Sequence, residues 1–62
     1  MNEEMHQVMA VARMAASLIL SNGGETYRAE ETAVHIGRTF GCEIDVIALP
    51  TGLTMTVRRG GD

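Results

Sequence analysis

The sequence contains no lysine and no tryptophan, and only one cysteine and one proline. A single cysteine, Cys42, excludes an internal disulfide. Together with His6 and His35 it does not form a metal-ligand spacing, so no metal and no cofactor is expected. With one tyrosine (Tyr27) and one phenylalanine (Phe40), the chain cannot build an aromatic platform for single-stranded nucleic acid. All five basic residues are arginines (Arg13, Arg28, Arg38, Arg58 and Arg59), and the net charge is −3. That balance argues against nucleic acid as a partner. The longest apolar-leaning run, Val8 to Leu20, is interrupted by Arg13 and falls short of the ~20 apolar residues of a spanning helix. Asn2-Glu3-Glu4 is not the basic start of a secretory signal. These features lead to the expectation of a soluble, cytoplasmic chain.

A length of 62 residues allows one domain. Ordering costs roughly 1.5 kcal/mol per residue, and small domains usually offset it with disulfides, a metal or a partner. With neither of the first two on offer, a partner or further chain is expected to complete the core.

The apolar residues that are present show clear periods. Met5, Val8, Met9, Ala12, Ala16, Ile19 and Leu20 recur at spacings of three and four, which predicts a helix over 3–21. Glu3 and Glu4 favour its first turn and Asn22-Gly23-Gly24 stops it. A second helix is predicted over 26–40, with Thr26 as its N-cap and Ala29, Ala33, Ile36 and Phe40 as its apolar stripe. Tyr27 and Val34 lie on a neighbouring face. From Cys42 the period changes to two, predicting strands over 43–49 and 53–58 around a Pro50-Thr51-Gly52 turn. Ile47 and Leu49 make the second face of the first strand apolar, so cover on both faces is expected. The fold class is α+β, a helical hairpin followed by a β-hairpin. Because three strands are usually needed for an independent sheet, residues 1–62 are expected to be one partial domain of a larger α/β sheet.

The run Asn22-Gly23-Gly24-Glu25-Thr26-Tyr27-Arg28, with Glu30 beyond it, follows an apolar helix end. After a helix and Gly41, a strand then leads into Pro50-Thr51-Gly52. This ordered pair of motifs resembles the N-terminal cytoplasmic region of the threonine/serine exporter family, from about Met9 to Val57. The resemblance implies export of amino acids or small dicarboxylates by a protein of the cell's inner membrane. This region would then sit ahead of a bundle of membrane helices. The sequence departs from the family in having no membrane segment. The partners implied are the remainder of the same transporter and, for an open strand edge, further copies of the chain. A small-molecule substrate is a further candidate. The alternative is a free-standing interaction module that self-associates through its exposed strand edge.

The candidate binding or domain-contact residues are Asn22, Gly23, Glu25, Tyr27, Arg28, Glu30, Pro50, Thr51 and Gly52. Glu25, Arg28 and Glu31 are three apart, so they can pair along a helix surface. Arg28 can alternatively bind a carboxylate or tie the helix start to another part of the domain. The weights against function are plain for the others. Gly23-Gly24 is first a helix stop and Pro50-Thr51-Gly52 first a tight turn. Tyr27 can simply pack, His35 can simply touch Glu31, and Cys42 has the setting of a small buried hydrophobe. The serines Ser17 and Ser21 have no Gly-x-Ser-x-Gly elbow and no triad partners, so no catalytic residue is assigned and the chain is not read as an enzyme. Arg58 and Arg59 are too few for a membrane-anchoring cluster.

Overall fold

Two acids in the first turn and an alanine-rich sequence start the first helix, α1 (Glu3–Ser21). In the computed structural model, which describes residues 3–59, it is followed by α2 (Thr26–Thr39), β1 (Cys42–Leu49) and β2 (Gly52–Arg59). The strands form a two-stranded antiparallel sheet, with Cys42 opposite Arg59 and Leu49 opposite Gly52. Helices then strands, packed as two layers, make the chain α+β with the ααββ order expected.

The helices end for identifiable reasons. At the end of α1 the N–H of Gly23 donates to the Leu20 carbonyl (3.1 Å) and that of Gly24 to the Ile19 carbonyl (2.7 Å). This reciprocal pair satisfies carbonyls that the helix leaves open, and it requires the left-handed φ of 78° at Gly23. The Asn22 side chain adds a bond from Nδ2 to the Leu18 carbonyl at 2.7 Å. The second helix is capped by Glu25 rather than Thr26, through backbone alone and with no side-chain bond. Thr26 is already inside the helix. Phe40 also falls outside it, at φ −103° and ψ 15°, because Gly41 reverses the chain at φ 73°. Phe40 is 53% exposed and does not join the stripe of Ala29 and Ala33.

The core is built from small side chains. Ala12 and Ala16 of α1 and Ala29 and Ala33 of α2 are fully buried, which lets the two helices approach closely. Val8, Cys42, Ile44, Ala48 and Val57 complete the buried set, and Met5, Met9, Ile19, Leu20, Ile36, Val46, Leu53 and Met55 pack around it. α1 lies over β2, and α2 over β1. Gly37 sets the second of these contacts. A Cβ there would sit 2.7 Å from Ile44 Cγ1 and 3.2 Å from the Cys42 carbonyl oxygen.

The outer sheet face carries Glu43, Asp45, Thr54, Thr56 and Arg58. Arg58 bridges Asp45 at 2.9 Å and Glu43 at 3.3 Å. Ile47 and Leu49 share this face and are 65% and 57% exposed, so among the described residues the expected second cover is not present.

Candidate functional site

The two sequence motifs both border the end of α1 or the strand beside it. The first occupies the α1–α2 junction and the opening turns of α2. The second is the turn between the strands. A bond ties the first motif to the strand that leads into the second: the Ala48 N–H, two residues before the turn, donates to Glu30 Oε2 at 2.9 Å across 18 residues of sequence. A two-residue period of bonding governs an antiparallel pair, so alternate residues of β1 turn their N–H groups away from β2. Ala48 is such a residue. Glu30 is on α2, which packs on β1, and its half-buried carboxylate supplies the acceptor that a neighbouring strand would otherwise provide. The turn approaches the other helix: Pro50, Thr51 and Gly52 line a shallow concavity with Ser17, Leu20 and Ser21 of α1.

The remaining motif residues fall into two sets. Asn22 and Gly23 close α1, and Glu25 starts α2, its carbonyl accepting the N–H groups of Arg28 (3.1 Å) and Ala29 (3.3 Å). Tyr27 is 54% exposed, and the side chains of Glu25 and Arg28 face solvent. The helix-surface pairs of Arg28 with Glu25 and Glu31 do not form; among the described residues the ion pairs are those of Arg58 and the Arg59–Glu4 pair at 3.0 Å. Glu25, Tyr27 and Arg28 therefore present an acid, a phenol and a guanidinium outward, beside an anchored Glu30.

Other candidates resolve into structure. Cys42 is buried, with its thiol 3.7 Å from the Phe40 carbonyl. His35 is exposed and its carbonyl accepts the Thr39 hydroxyl at 3.0 Å. Among the described residues no three His, Cys, Asp or Glu side chains are grouped to hold a metal. None of the helices there is long and apolar enough to cross a membrane. Two residues that matter were not marked by the sequence. Gly37 had one available signal, a glycine inside a helical pattern, which often has a packing reason. Ala48 had none, because its contribution is a backbone N–H.

Residues 10–62 match the model of the family described as putative threonine/serine exporter. The chain belongs to that family. Both motifs lie within the matched residues. Members of the threonine/serine exporter family are transporters rather than enzymes, and their membrane setting belongs to the full-length exporter. No curated protein and no solved structure gives a significant match.

Proposed function

We propose that this chain serves an exporter of threonine and serine, or of small dicarboxylates, as a structural and regulatory part on the cytoplasmic face of the inner membrane. Its partner is the remainder of the same transporter. The observation that supports this reading is the Glu30–Ala48 bond. It ties the first motif, through Glu30, to the strand that leads into the second, while Glu25, Tyr27 and Arg28 face outward. A surface anchored from behind and without ion pairs in front suits a contact between parts of one protein. Arg28 is the anchor of that contact, since a guanidinium can grip a carboxylate with two parallel bonds.

The test is export by the full-length protein carrying Arg28→Ala, Arg13→Ala or Arg38→Ala, each at matched membrane abundance. Arg28→Ala is expected to reduce export several-fold while the other two stay near the parent rate. Equal export by all three variants would remove Arg28 from the contact. A second reading, self-association, is favoured by a specific observation: no strand among the described residues pairs with the outer edge of either β1 or β2.

A further inference from the structure

Gly23 and Gly24 are neighbours in the first motif, and each is a glycine for a different reason. Gly23 turns the chain at a φ of 78°, and an added Cβ there would meet nothing within 4 Å. Gly24 has no left-handed φ; what it requires is space. Its N–H donates to the Ile19 carbonyl at 2.7 Å, so its backbone lies directly on the last turn of α1. A Cβ at Gly24 would overlap Ile19 Cγ2 and would sit 2.7 Å from the Ile19 carbonyl oxygen. Carbon and oxygen in contact normally stand about 3.3–3.6 Å apart. The Ile19 side chain can turn aside, but its carbonyl is helix backbone and cannot. Any larger residue at this position therefore pushes the junction away from α1.

The opening turns of α2 are placed from this point. Glu25 follows directly, and its carbonyl accepts the N–H groups of Arg28 and Ala29. No side-chain bond caps the helix, so the close approach of Gly24 to Ile19 is what sets where α2 begins. Three placements depend on that start. Ala29 is fully buried in the core, Glu30 reaches the Ala48 N–H at 2.9 Å, and Arg28 is left facing solvent. N–H···O bonds fall within about 2.7–3.2 Å, so the Glu30 bond tolerates little displacement of the helix start.

We propose that Gly24 is a positioning residue for the Arg28 contact: the space left by its missing Cβ sets the start of α2, and with it the outward placement of Arg28 over a Glu30 anchored to β1. The inference rests on the reading of Arg28 as the anchor of that contact. Gly24 itself touches neither partner nor solute.

Two measurements test it together. In the chain, Gly24→Ala is expected to speed amide exchange at Ala48 by about tenfold or more while the Val57 amide changes little. Gly23→Asn is the control, since asparagine tolerates the left-handed region, and it should leave Ala48 near the parent rate. In the full-length protein at matched membrane abundance, Gly24→Ala should reduce export several-fold. Gly24→Ala combined with Arg28→Ala should export no less than Arg28→Ala alone, because both remove the same contact. A purely structural glycine would lower export by the same factor in both backgrounds, and that result would overturn the proposal. So would Ala48 exchange at the parent rate in Gly24→Ala. If Arg28→Ala lowers export and Gly24→Ala does not, the role of Gly24 falls and the Arg28 contact stands. If Arg28→Ala exports at the parent rate, the contact falls and this inference falls with it. Should Gly24→Ala fail to fold, Gly24→Ala with Ile19→Leu, which removes the Cγ2 group, is read on the same terms.

Discussion

The half of the molecule made of α2 and β1 is closed, and the half made of α1 and β2 is open. In the closed half a glycine brings helix against strand, and a carboxylate from the helix takes an outward strand N–H. In the open half the helix carries apolar residues on two opposite faces, and the strand edge has no cap among the described residues. The link between α1 and β2 that involves charge, Arg59 to Glu4, is solvent-exposed and therefore weak. The difference shows where a small sheet layer spends its specific contacts. They are concentrated between α2 and β1 and are few between α1 and β2.

The largest expected effect breaks the closed half at its tightest point. Gly37→Val places branched carbon atoms against Ile44 Cγ1 and the Cys42 carbonyl. Overpacking of this kind costs about 1–3 kcal/mol, and valine gains little helix propensity in return. For a domain of this size each kcal/mol moves the melting midpoint by about 4–8 °C, so a fall of about 4–24 °C is expected in a thermal melt. Ile44→Ala alone should also destabilise, by leaving a cavity. The double variant should lose clearly less than the sum, because the truncation makes room for the valine. Strict additivity would mean that Gly37 and Ile44 do not meet as described.

The next effect sharpens the comparison by making the two edges alike. Glu30→Ala leaves the Ala48 N–H without its acceptor, and a bond to a charged group in a half-buried setting contributes on the order of 1–2 kcal/mol. Glu30→Gln keeps an acceptor oxygen and should recover roughly half of that loss. The diagnostic readout is local: hydrogen exchange at Ala48 should speed up in the alanine variant by more than at residues of β2. Unchanged exchange at Ala48 would show that the bond contributes nothing to the edge.

How far this asymmetry could be read in advance follows from the range of the forces involved. Both helices and both strands were legible, since apolar residues repeat at three and four through Leu20 and at two from Cys42. Phe40 was misplaced by the same rule: it continues the stripe of Ala29, Ala33 and Ile36, but Gly41 turns the backbone one residue too early for the stripe to include it. Thr26 was read as a cap because its hydroxyl can cap, whereas the chain enters the helix one residue sooner, at Glu25. The motif around Arg28 was visible as a charged cluster, yet local spacing suggested pairs along α2 that do not form. What Glu30 does depends on a partner 18 residues away, contributed by the backbone of an alanine. No side-chain pattern encodes that partner.

The smallest expected effect concerns the outer sheet face, which belongs to neither half. Arg58 bridges Glu43 and Asp45 with side chains that are 55%, 61% and 66% exposed. Exposed pairs of this kind contribute about 0–1 kcal/mol and are screened by salt. Arg58→Ala should therefore shift the melt by a few degrees at most, and the shift should shrink in about 1 M salt, where the screening length is about 3 Å. A shift that persists undiminished in about 1 M salt would mean that Arg58 contributes through the packing of its stem rather than through its charge.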